Sequence, residues 1–231
     1  VKSEGQINAD GKSWATATTL ETALDKAVRG DFIHLAAGIY HPTRTIANGK
    51  ADDSKDKTFE IHSNITLIGG YPANAAEGST SDPVNNETIL SGMLGSDKVY
   101  HAMAITAPAE NGQKVTLKGL TIRDGRAAAS GTGSVAVNGA NYFRYYGGGV
   151  IVAKSVVTMI DCNITDNSSG VHAAGMYIFG GATVRLENST VQNNSGLTTS
   201  SNGGGIFVDA STLYLIDSKV INNGTTGVGG G

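Results

Sequence analysis

The sequence predicts an all-β solenoid, a parallel β-helix, and three observations carry the prediction. Four segments in the second half of the chain align without a gap. None of their apolar runs is long enough for a helix. Glycine and asparagine recur at fixed columns, where they replace one another.

The aligned segments are Val115 to Gly125, Val157 to Asn167, Val184 to Asn194 and Leu213 to Asn223, whose starts lie 42, 27 and 29 residues apart. A Gly-rich apolar run precedes the last three: Gly147 to Val152, Ala173 to Ile178 and Gly203 to Val208. Inside each unit apolar residues alternate, as in Val115, Leu117, Leu120 and Ile122, so each run reads as a half-buried strand. Between the strands stand Gly119, Asp161, Asn188 and Asp217, and at the end Gly125, Asn167, Asn194 and Asn223. Gly and Asn alternate where the backbone takes positive φ, which predicts corners at both columns. Units of this length, stacked about 4.8 Å apart, place like residues above one another. Asn167, Asn194 and Asn223 are then expected to form a side-chain amide ladder.

The first part of the chain reads as a cap and opening coils. Thr18 to Glu21 has a capping-box pattern, and Leu20, Ala23, Leu24, Ala27 and Val28 fall on one helical face, with Gly30 as the stop. One short N-terminal capping helix therefore precedes a strand at Phe32 to Leu35. Further strands are expected at Thr58 to Ile61, Ile65 to Ile68, Thr88 to Leu90 and His101 to Ile105. The organisation is one domain over 1–231: cap and first strand to 40, opening coils with loops over 41–114, and regular coils over 115–231.

Composition narrows the function. The 231 residues carry 16% charged side chains, a net charge of −3 and 32 glycines, about twice the usual share. No Lys/Arg cluster offers a footprint for nucleic acid. No run approaches the roughly 20 apolar residues of a membrane-spanning helix. One cysteine allows neither an internal disulfide nor a multi-thiolate metal site.

Gly30 to Tyr40, Ile65 to Tyr71 and Ile89 to Gly92 resemble the opening of secreted bacterial right-handed parallel β-helix proteins of the pectin-lyase-like fold. The Gly-Gly-apolar runs paired with Ile164 to Asn167, Val191 to Asn194 and Val220 to Asn223 are similar to repeats of polymorphic outer-membrane adhesins. The resemblance implies a right-handed coil and a secreted or outer-membrane surface location on a Gram-negative bacterium. It leaves function open, because this fold hosts lyases, hydrolases and adhesins alike.

Enzymes of this fold pair acidic residues with an Arg, Lys or His. Here Asp124 and Asp166 share a corner column, as do Asp161 and Asp217, where Asp serves local backbone bonding equally well. His172 stands alone in a loop, Lys219 and Arg185 occupy different columns, and Cys162 reads as a small inward residue without a base. No catalytic residue and no cofactor is assigned. A calcium ion between Asp124 and Asp166 is the alternative to a plain corner role.

Two features exceed the repeat. Ile151, Tyr177 and Phe207 alternate with inward residues and so point outward, either beneath a loop or neighbouring domain or as an exposed binding stripe. The insertion from Arg126 to Tyr146 ends in Tyr142, Phe143, Arg144, Tyr145 and Tyr146. Such a loop can carry recognition of a glycan or surface protein, or fold down as the cover of that stripe. Gly229 to Gly231 repeats the opening of a coil, so further coils or a partner chain are expected past Gly231, and a removed signal peptide before Val1. The reading is a non-catalytic, adhesin-like or scaffold module binding glycan or another surface protein. Its alternative is a polysaccharide lyase or glycoside hydrolase.

Overall fold

The computed structural model describes residues 1–110, 112–128, 133–199, 201–225, 227 and 229. Part of the insertion (129–132) and Gly230 and Gly231, where the next coil was expected, lie outside the described residues.

The chain winds through three parallel sheets. The first stacks Phe32–Ala36, Thr66–Tyr71, Val115–Lys118, Val156–Ile160, Thr183–Glu187 and Thr212–Ile216. The second stacks Gly38–Tyr40, Thr88–Ser91, Thr121–Arg123, Asn163–Thr165, Thr190–Gln192 and Lys219–Ile221. The third stacks Phe59–Ile61, Met103–Ile105, Val150–Ala153, Met176–Phe179 and Ile206–Asp209. Register follows the aligned columns: Leu117 pairs with Met159, Met159 with Leu186, and Leu186 with Leu215. Ile122, Ile164, Val191 and Val220 form the matching column of the second sheet. These inward side chains make one continuous core from Leu35 to Val191, onto which Leu213 and Val220 pack partly buried. Each fully buried Leu or Ile is worth about 1.5–3 kcal/mol, so the stacked columns, rather than any local propensity, hold the coils together.

Alternation dictates these strands, and corners end them. Gly119, Asp161, Asn188 and Asp217 all take positive φ. The second expected corner is displaced by one residue: positive φ belongs to Asp124, Asp166, Asn193 and Asn222. The column after it, Gly125, Asn167, Asn194 and Asn223, turns inward instead. There Asn167 Nδ2 donates to Asn194 Oδ1 at 3.0 Å and Asn194 Nδ2 to Asn223 Oδ1 at 2.9 Å, all three side chains being buried.

The capping helix, α1, runs from Leu20 to Lys26. Seven residues are too few for a stable isolated helix, and Leu20 and Leu24 hold it by burial against the core that includes Phe59 and Ile61. Its N-cap is Thr19, whose Oγ1 accepts from Thr22 N–H at 3.3 Å. The capping box expected of Thr18 and Glu21 is not made: Thr18 Oγ1 donates to Gln6 O, and Glu21 Oε1 accepts from Thr43 N–H. Val28 leaves the expected helical face because the backbone is already extended at Ala27, and it is exposed.

Candidate functional site

The insertion folds into an antiparallel hairpin, Ser134–Val137 with Ala140–Phe143. Asn138 and Gly139 both take positive φ, the backbone of a tight two-residue hairpin turn. That Asn-Gly pair, flanked by alternating residues, was the signal by which the sequence could have revealed the hairpin.

The hairpin lies on the outer face of the third sheet. Tyr142, Ile151, Ala153, Tyr177 and Phe179 form a second buried cluster with Ile46, Ala104 and Ala173, and Val135, Val137, Ala140 and Phe207 pack against it. Polar ties fasten the cover. Tyr142 Oη donates to Ile105 O at 2.8 Å, Asn138 Nδ2 to Thr106 O at 2.6 Å, and Lys154 Nζ to Gly139 O at 2.6 Å. Arg144 forks onto Asp56, Nε to Oδ1 at 2.9 Å and an Nη to Oδ2 at 2.5 Å, and its guanidinium lies 5.8 Å from the Tyr100 ring centroid. The Asp56 carboxylate raises the Arg144 pKa further, so this charge is permanent. Ile151 and Tyr177 therefore point outward, as alternation requires, but are covered. With Tyr142 they offer no surface to a ligand, which corrects their assignment as binding residues.

What the cover leaves at its foot is a group of half-buried rings: Phe143, Tyr145, Tyr146, His172 and Phe207. Tyr145 meets Tyr146 edge-on at 4.5 Å, and Phe143 lies 5.5 and 5.3 Å from the two. His172 is not alone in its loop. It stacks between Tyr146 at 4.8 Å and Phe207 at 4.4 Å, and bridges place Tyr146, His172 and Asn202 in one column. Partial desolvation lowers the His172 pKa and raises that of Tyr146, so both rings are neutral at pH 7. His172 Nδ1 is buried and has no hydrogen-bond partner. Beside the rings Tyr177 Oη donates to Asp209 Oδ2 at 3.3 Å. Such a set presents flat apolar faces edged by hydroxyls, the chemistry that stacks on sugar rings or fills a protein groove.

The corner carboxylates have local partners. Asp124 accepts from Ser91 Oγ at 2.9 Å and from Lys98 Nζ at 3.1 Å, with Arg123 Nε at 3.3 Å. An acid and two bases thus do converge, through Lys98, which lies outside the repeats. Asp166, which follows the paired Thr165 in the next coil, accepts from Thr165 Oγ1. Among the described residues no set of three or more His, Cys, Asp or Glu side chains gathers around a common point. Cys162 is buried, its thiol pushed up to about 12 by desolvation, and its Sγ lies 3.3 Å from Ile160 O.

A concavity also lies outside the repeats. At the N-terminal end, Trp14, His34 and Tyr71 line a cleft of about 640 Å³. His34 stacks on Tyr71 at 4.8 Å and Trp14 tilts against Tyr71 at 5.1 Å. These residues come from segments that do not repeat, so no column marks them.

The family model described as right handed beta helix region matches residues 98–229. No curated protein and no solved structure matches the chain.

Proposed function

This chain belongs to the right-handed β-helix family, and we propose that it is a non-catalytic recognition module of a secreted or outer-membrane surface protein of a Gram-negative bacterium, adhesin-like in binding a glycan or another surface protein. One observation carries this reading: the half-exposed cluster of Phe143, Tyr145, Tyr146, His172 and Phe207, fixed at the foot of a hairpin that Arg144 and Asp56 pin to the solenoid. Rings held by packing on a rigid scaffold lose little entropy on binding, which favours recognition by stacking. The location follows from the resemblance of the repeats to those of bacterial surface proteins.

The alternative, a polysaccharide lyase or glycoside hydrolase, draws its support from Asp124 with Lys98 and Arg123. These three charges are already paired with one another, Lys98 and Arg123 both on Asp124. A panel of polysaccharides and outer-surface protein extracts, followed for both binding and product release, separates the two readings. The expected result is saturable binding without cleavage, weakened about 10-fold or more by Tyr145→Ala. Cleavage that Asp124→Asn abolishes, or no binding to either class, overturns the proposal.

A further inference from the structure

The N-terminal cleft is formed by four segments: the loop around Trp14, one side of α1, the first strand at Phe32 to His34, and Tyr71 with the turn at Glu77 to Ser79. All of it precedes residue 98, so membership of the β-helix family assigns it nothing. Packing alone does not account for its lining. Phe32 is 67% exposed, His34 is exposed although stacked on Tyr71, and Trp14 is only half-buried. Among the described residues no ion pair engages Lys26 or Glu77, whose side chains line the same space. Asp31 uses Oδ2 to accept from Val28 N–H, and among the described residues Oδ1 has no protein partner.

We propose that this cleft binds a short neutral saccharide of about disaccharide size. The inference rests on the reading of the chain as a recognition module and adds to it a second, smaller site. The volume lies within the range of ligand pockets, about 300–1,000 Å³. The Trp14 and His34 rings, both packed on the buried Tyr71 ring, offer apolar faces to the C–H face of a pyranose, with a polar rim within reach of its hydroxyls. Three carboxylates and two lysine ammoniums share that rim, which is mixed in sign and exerts only a weak net field on an anion or a cation. A polyhydroxylated neutral ligand can use both kinds of group, accepting from Lys26 and donating to Asp31 and Glu77.

Trp14 is the only tryptophan in the chain, so its fluorescence reports on this cleft alone. The intact chain is titrated with maltose, cellobiose, lactose and chitobiose, and with digalacturonic acid as the charged comparison. At least one neutral disaccharide should change the emission saturably. Tyr71→Ala should weaken that response at least 10-fold. His34→Ala, at an exposed position and so safe for folding, should weaken it several-fold, and Tyr145→Ala should leave it unchanged. A flat titration with all four neutral sugars, a response to digalacturonic acid only, or a response that survives both Tyr71→Ala and His34→Ala overturns the inference. If polysaccharide binding sensitive to Tyr145→Ala persists while Trp14 stays silent, the cleft inference falls by itself. If Trp14 responds while Tyr145→Ala has no effect on polysaccharide binding, the hairpin site falls and the cleft stands.

Discussion

Asn167 donates from Nδ2 to Asn194 Oδ1 at 3.0 Å, across 27 residues of sequence and one turn of the solenoid. The same oxygen accepts from Asn167 N–H at 3.1 Å, while Asn194 Nδ2 donates to Ile164 O and to Asn223 Oδ1. Asn194 thus satisfies backbone and side chain on both sides. Asn194→Ala strands several buried polar groups, at about 1–3 kcal/mol for each one left unpaired. A loss of about 3 kcal/mol or more is expected in urea denaturation, against a smaller loss for Asn223→Ala at the end of the ladder. Equal losses would show that the ladder is not cooperative.

The hairpin cover should depend on Arg144. Its partner Asp56 has a side chain only 2% exposed, and removing the cation leaves that carboxylate buried and unpaired, typically a cost of about 3–5 kcal/mol. Arg144→Met is expected to open the hairpin locally rather than unfold the solenoid, because the inward core columns form a cluster separate from the one the hairpin covers. Hydrogen exchange of residues 134–143 should rise sharply while that of Val184 to Glu187 stays constant. Adding Asp56→Asn should restore part of the protection.

How far the fold could be read from sequence is visible in these two cases. The columns were legible because each coil repeats the last: an alternation seen four times gives register as well as strand. The same averaging misplaced the second corner by one residue. Asn is selected there for two different reasons, left-handed backbone at Asn193 and an inward amide at Asn194, and adjacent Asx residues look alike in an alignment. The hairpin carried its own signal in Asn138-Gly139. The cleft carried none, since Trp14, His34 and Tyr71 occur once each in unrelated segments and only the winding of the chain brings them together.

Acid should weaken the fold through His101. The ring is fully buried, its Nδ1 donates to Gly147 O at 2.9 Å, and burial lowers its pKa from 6.5 to about 4. The folded state therefore binds its proton later than the unfolded one. This contribution is complete above pH 6.5 and is lost as pH falls from 6.5 towards 4, by about 3 kcal/mol. His34 and His172, also depressed by desolvation, act in the same direction. The melting temperature should be level from pH 8 to 7 and then decline. His101→Asn, which keeps a donor for Gly147 O, should flatten most of that slope; an unchanged slope would assign it to other groups.

The glycine triplets are explained by crowding as much as by φ. A Cβ on Gly149 would stand 2.5 Å from Gly175 O and 2.6 Å from Asn167 Nδ2, and one on Gly175 would stand 2.4 Å from Gly205 O. Backbones of successive coils meet there, so no rotamer change can relieve the contact. Gly181 offers the contrast, with φ +83° but nothing within 4 Å of its would-be Cβ. Gly181→Ala should cost only the left-handed penalty, about 1–2 kcal/mol. Gly149→Ala must force two coils apart and disturb the amide of Asn167, so its loss in chemical denaturation should be at least twice as large. A Gly149→Ala variant as stable as Gly181→Ala would mean that the coils can separate freely, contrary to the register of the stack.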